Sequence, residues 1–122
     1  MFRGKSAEHL LISELTKRGF TVSVPVVENK YDLIVDNGKR VQKVQVKSTT
    51  TKSGNSYQIT VKTRAGDYSS ADVDVFAFYV EPTETWYFVP FSLIKVKSVF
   101  LYPGQKKGNF DTYEGYWRVF DI

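Results

Sequence analysis

The sequence predicts an α/β fold: a mixed β-sheet carrying an N-terminal helix on one face, followed by a β-rich C-terminal extension. Three observations predict it. Between Ala7 and Leu15, apolar residues recur at spacings of three and four, which is one face of an amphipathic helix. Asn37-Gly38 separates two strand-like runs, the arrangement of a β-hairpin. Beyond Tyr57, alternating or continuous apolar runs are punctuated by Pro- and Gly-bearing turns.

The helix comes first. Ser6 or Gly4 stands near its cap, and Glu8 falls in the first turn, where the helix dipole favours an acid. Ala7, Leu11, Ile12 and Leu15 form its buried stripe, with Glu8 at the margin, where it can be simply solvated. Lys17-Arg18 followed by Gly19 ends it. Phe20, Val22 and Val24 then alternate with Thr21 and Ser23, predicting a short strand closed by Pro25.

The rest is organised around Tyr31 to Ser48. Asn37-Gly38 suits a two-residue type I′ turn, which pairs Asp36 with Lys39 and sets Asp32 opposite Lys43. Side chains alternate across a strand, so Asp32 shares a face with Lys43, Gln45 and Lys47. Gln45 is then its diagonal neighbour, about 7–8 Å away and within bridging reach of a shared ion. Ile34 and Val41 on that face imply that it is partly covered. The other face presents Tyr31, Leu33, Val35, Val44 and Val46, the surface to bury under the helix. Asp36 has the parity of Asp32, but beside an Asn-Gly turn an Asp has local reasons to be there. For Lys43 the plain role is a cross-strand ion pair with Asp32.

Ser48 to Ser56 is a polar loop, or two strand ends joined at Gly54-Asn55. Following Lys47 directly, it either hangs over the active face, offering hydroxyls, amides and Lys52 to a phosphate, or is a plain connection. Tyr57 to Thr63 alternates as a fourth strand, and 64–71 bridges to the next. Val73 to Val80 is a strand buried on both sides. Asp72 and Asp74, at its entry, suit nearby backbone amides better than a metal. Glu81 to Glu84 is a turn, Thr85 to Val89 a partner strand, and Ser92 to about Ile94 a short helix. Val96 to Leu101 predicts a further strand, and 102–111 a loop. The last stretch is a strand or helix whose Tyr113, Tyr116, Trp117 and Phe120 dock on the core or form an oligomer interface rather than stack on bases.

An Asp on one strand, twelve intervening residues, then Gln45-Val46-Lys47 on the next resembles the PD-(D/E)XK nucleases. That family also carries a Glu on a helix ahead of the hairpin, where Glu8 stands. The resemblance covers Gly4 to about Ser48, and more loosely the strands to about Phe91. It departs at Tyr31, where the family name has Pro, and at Gln45, where most members have Asp or Glu. The second departure looks like the group I intron homing endonuclease branch. The plan is also similar to the archaeal Holliday junction resolvases.

The resemblance implies a restriction-endonuclease-like core and a divalent-metal-dependent endodeoxyribonuclease acting on double-stranded DNA. Its ligands would be Glu8, Asp32, the Gln45 amide oxygen and the Val46 carbonyl, a hard-oxygen set suited to Mg²⁺, with Mn²⁺ able to substitute. Lys47 would orient the attacking water or offset charge on the phosphorus. Lys52, Lys62, Arg64, Lys106 and Lys107 are candidate DNA contacts, and cutting both strands calls for a homodimer or homotetramer. The alternatives are a structure-selective, resolvase-like nuclease, a non-catalytic DNA-binding module that lost an acid at position 45, and a small α/β protein whose motif is accidental.

Composition narrows the field. A length of 122 residues, 42% of them apolar, is expected to make a single domain over 1–122. With no cysteine, disulfides, thiolate metal sites and cysteine nucleophiles are excluded. His9 is the only histidine, too few for an imidazole-based zinc site. No run is long enough to span a membrane, so a cytoplasmic protein is expected. A formal charge of +4 permits a polyanionic partner without demanding one.

Overall fold

The computed structural model describes residues 3–61 and 72–121. Its layering follows from the helix stripe. Helix α1 (Arg3–Lys17) turns Ala7, Leu11 and Leu15 inward, all three buried. The helix begins at Arg3 rather than near Ser6, so Glu8 lies in its second turn. Burial of the stripe, more than a capping side chain, decides where a short helix stands. Gly19, at φ +94°, closes it: its N–H reaches the Thr16 carbonyl at 3.0 Å, and that of Phe20 reaches Leu15 at 3.1 Å. These paired bonds satisfy the last carbonyls, and the positive φ suits glycine.

Eight strands follow among the described residues: β1 (Thr21–Ser23), β2 (Leu33–Asp36), β3 (Val41–Thr49), β4 (Lys52–Ser53), β5 (Ser56–Thr60), β6 (Val75–Val80), β7 (Thr85–Pro90) and β8 (Ser98–Leu101). Five make a sheet in the order β1-β2-β3-β6-β7, with β3 and β6 parallel and the other pairs antiparallel. The other three form a small antiparallel sheet, β4-β5-β8. All six residues of β6 are buried, because two cores flank it. Val75, Ala77 and Tyr79 pack with α1, Leu33, Val35, Val44 and Val46. Phe76, Phe78 and Val80 pack with Ile59, Val99 and Leu101 of the small sheet.

The hairpin register differs from the expected one. Asn37 to Arg40 form a four-residue connection, pairing Asp36 with Val41, Ile34 with Lys43 and Leu33 with Val44. The Asn37 side chain explains this. Its Oδ1 accepts the N–H groups of Lys39 and Arg40 at 2.8 and 3.0 Å, and its Nδ2 donates to the Phe120 carbonyl at 3.0 Å. Lys43 is therefore opposite Ile34, not Asp32, and its ammonium lies 5.8 Å from the centre of the Tyr31 ring. The shift is two residues, so every side chain keeps its expected face.

β1 ends at Ser23, leaving Val24 exposed. The stretch 48–56 takes the strand option: β3 runs on to Thr49, and Gly54-Asn55 joins β4 to β5. β5 ends at Thr60, and the Val61 N–H still reaches the Lys97 carbonyl at 2.9 Å; residues 62–63 of the expected fourth strand, and the bridge at 64–71, lie outside the described residues. The C-terminal stretch forms two short 3-10 turns, Asp111–Tyr113 and Trp117–Phe120. Phe120 is fully buried, edge-on to Phe88 at 5.2 Å and to Phe20 at 6.0 Å. Trp117 packs on Phe88 at 4.5 Å, with the Arg18 guanidinium 4.0 Å from its ring centre. Among the described residues, no helix is long and apolar enough to cross a membrane.

Candidate active site

β2 pairs with β3 only up to Val44, so from Gln45 onward β3 has no β2 backbone beside it. Asp32 fills the opening. Its N–H donates to the Val44 carbonyl at 2.8 Å, and its Oδ2 accepts the Val46 N–H at 2.8 Å. The carboxylate thus takes the place a strand carbonyl would have had. The Gln45 Nε2 donates to the same Oδ2 at 2.9 Å. Two N–H donors on one oxygen hold the carboxylate in a fixed orientation. Gln45 is itself buried, paired in register with Phe76 of β6.

Two residues on, Lys47 emerges on the face of Gln45. Burial pushes its pKa below the usual 10.5, and attraction to Asp32 offsets part of that. The ammonium therefore stands within electrostatic reach of Asp32 in a partly desolvated place. Glu8 is half-buried on α1, just past Ala7. That helix packs against the face of the sheet that Val44 and Val46 present, opposite to that of Gln45 and Lys47.

The Asp side chains outside this group have local partners. Asp36 Oδ1 accepts the Gly38 N–H at 2.8 Å. Asp74 braces β3 by accepting the Lys43 N–H at 2.8 Å and donating its own N–H to the Lys43 carbonyl. Asp72 pairs with Lys30 at 3.6 Å. Lys52 lies over Tyr57 and Lys107 over Tyr102, at 5.5 and 5.0 Å from the ring centres. Lys106, at φ 52°, is exposed in the same turn as Lys107. Lys62 and Arg64 lie outside the described residues. The Val46 N–H, which orients Asp32, was not anticipated as part of the site. A main-chain donor leaves no mark on residue type.

What the site can hold follows from its donors. Among the described residues, no three Asp, Glu, His or Cys side chains cluster to grip a metal. A cation here would rest on fewer carboxylates, supplemented by amide and main-chain oxygens. Those are hard ligands suited to Mg²⁺ or Mn²⁺.

A helix laid on a mixed sheet, with an Asp, an amide and a Lys gathered at the open edge of its central strand, defines a restriction-endonuclease-like protein of the nuclease class. The chain belongs to the PD-(D/E)XK endonuclease family, whose model matches residues 2–109. It is 32% identical to Protein 5.3 of Escherichia phage T7 over 83 residues, 64% of this chain and 70% of that one. Its structure is similar to that of the bacterial homing endonuclease I-Ssp6803I, with a TM-score of 0.82 and 25% identity, covering 96% of this chain and 89% of that one. It shares its fold with Hjc, a Holliday junction resolvase of Archaeoglobus fulgidus, at a TM-score of 0.57 and 18% identity over 83% and 84% of the two chains.

Proposed function

We propose that the protein is a divalent-metal-dependent endodeoxyribonuclease of the homing-endonuclease type, with its centre at Glu8, Asp32, Gln45, Val46 and Lys47. The observation that carries this reading is the Asp32 carboxylate, locked by two N–H donors beside the Lys47 ammonium. Asp32, Glu8, the Val46 carbonyl and the Gln45 Oε1 would hold a Mg²⁺ ion, Glu8 reaching it through the opening beside β3. Gln45 now turns its nitrogen toward Asp32, and half a turn of the amide presents the oxygen instead. A cation held there would supply polarisation of the phosphoryl oxygen and a more acidic attacking water. Lys47 positions that water by donating to it, and balances the charge that builds on the phosphoryl oxygens. Its partly buried setting strengthens both effects. A domain of this size covers part of a long DNA site, so two or four copies would act together on double-stranded DNA.

The test offers a linear duplex and a four-way junction to the protein with Mg²⁺ or Mn²⁺. Wild type is expected to cut, and Asp32→Ala to lose at least about a hundredfold in rate while retaining DNA binding. Preference for the junction would favour the resolvase-like alternative. A wild type that binds DNA and cuts neither substrate with either metal would leave a non-catalytic module.

Gln45→Glu tests the ligand assignment separately. It places a second carboxylate against Asp32 Oδ2, where the amide now donates. Without metal, the like charges repel and the melting temperature should fall. With Mg²⁺ or Mn²⁺ the added charge tightens binding, so the metal-induced rise should exceed that of wild type, each hundredfold excess over Kd being worth about 2.7 kcal/mol. Equal rises in the two proteins would remove Gln45 from the ligand set.

A further inference from the structure

Beside Lys47 lies a cleft of about 310 Å³ that the proposed chemistry does not use. β3 makes it. At Thr49 the strand is still paired with Val80 of the large sheet, yet two residues on the Thr51 carbonyl accepts the Gln58 N–H of the small sheet at 3.0 Å. The two sheets diverge there, and the gap is lined by the run Lys47 to Thr51, by Gln58, Ile59 and Thr60, and by Glu81. Thr49 is buried and engaged internally: its hydroxyl donates to the Gln58 carbonyl at 2.7 Å and accepts the Thr51 N–H at 2.9 Å. Those bonds brace the wall. Thr51 and Thr60 are exposed, and their hydroxyls make no hydrogen bond among the described residues.

We propose that this cleft seats the sugar–phosphate of the DNA nucleotide next to the scissile bond, with the Thr51 and Thr60 hydroxyls donating to its phosphodiester. This rests on the nuclease reading, because Lys47 is shared: it adjoins Asp32 and also lines the cleft. A phosphate at Asp32 and Lys47 therefore leads its neighbour along the strand toward the threonines. Hydroxyls held close to the backbone, one at the end of β5 and one between β3 and β4, are too short to probe a groove, and suit backbone contacts that set register without reading sequence. Glu81, one residue past the Val80 that pairs with Thr49, also lines the cleft, and its charge limits the cleft to a single phosphate.

The test compares wild type with the double variant Thr51→Val/Thr60→Val, which preserves shape at two exposed positions and touches no residue assigned to catalysis. The probe is a random-sequence duplex in Ca²⁺, read by fluorescence anisotropy, with melting curves alongside. The double variant should bind at least about tenfold more weakly, two hydrogen bonds to a charged acceptor being lost. Its salt dependence should not change, since no cation is removed. Thr112→Val, exposed and outside the cleft, should bind as wild type. In Mg²⁺ the double variant should raise KM and spare kcat. Equal affinity of wild type and double variant, or absence of duplex binding by wild type, overturns the proposal. So does a deoxynucleoside monophosphate that binds in a threonine-dependent way while duplex affinity stays constant, for the cleft would then hold free nucleotides. Failure of the nuclease reading shows differently, as normal threonine-dependent binding without cleavage.

Discussion

Lys47→Met should lower DNA cleavage by at least about a hundredfold and leave the fold as stable as before, or slightly more so. The two halves of this expectation come from one observation. Burial depresses the Lys47 pKa more than Asp32 raises it, so the folded chain holds the charged form at a cost. A thioether fills similar volume without that charge. Because the side chain is partly solvated, the gain is screened. The melting temperature should stay put or rise by no more than about 4 °C, near the shift that 1 kcal/mol gives in a chain of this size.

The pH dependence has a definite sign. A lysine with a lowered folded pKa binds its proton more weakly folded than unfolded. Its penalty is fully present below the folded pKa and disappears as pH rises through that value toward the 10.5 of an exposed lysine. The stability advantage of the Met variant should therefore shrink in alkaline buffer. A structural lysine would give the opposite pattern, with cleavage and stability falling together. Retained cleavage with a firmer fold would remove Lys47 from the chemistry.

Phe120→Ala should be the most damaging single truncation in the C-terminal stretch. The ring is fully buried between Phe20 and Phe88, so its removal costs about 3–5 kcal/mol. At roughly 4 °C per kcal/mol, the melting temperature would fall by about 12–20 °C. The damage should spread to the hairpin, because the Phe120 carbonyl holds Asn37 and the Val119 carbonyl accepts the buried Gln42 amide at 3.2 Å. Amide exchange should accelerate at 37–40 before it does in β6 and β7. Phe100→Ala is the control: its ring is 41% exposed, and the change should stay within about 0.5 kcal/mol. If Phe120→Ala instead weakened DNA binding at unchanged melting temperature, the ring would be a base-stacking group and not a core one.

Much of this was legible in the chain, for a reason that particular residues make plain. Leu33, Val35, Val44 and Val46 are apolar at alternate positions, and Ala7, Leu11 and Leu15 are spaced by four. Each pattern names its own buried face, and the two faces meet in one core. The strand expected at 73–80, which forms over Val75–Val80, was readable because a continuous apolar run needs cover on both sides. The hairpin connection was misjudged by two residues, since Asn37-Gly38 alone satisfies a tight turn. What lengthens it is a carbonyl 83 residues away. The cleft beside Lys47 had only a partial signal, the hydroxyl run at 48–51. That the run faces Gln58, Thr60 and Glu81 is a matter of how two sheets part.

From its own residues, then, the chain determined which side chains share a face. Alternation is intrinsic to an extended backbone, and a register error of two leaves it untouched. Gln45 and Lys47 share a side by alternation along one strand, and Asp32 joins them for any connection with an even number of residues. Tertiary structure decided that Asp32 meets Gln45 and the Val46 N–H at hydrogen-bonding distance, and does not face Lys43 across the hairpin. The physical reason is that contact distance depends on register, and register here is held by the C-terminal turn gripping Asn37 and Gln42 through two main-chain carbonyls.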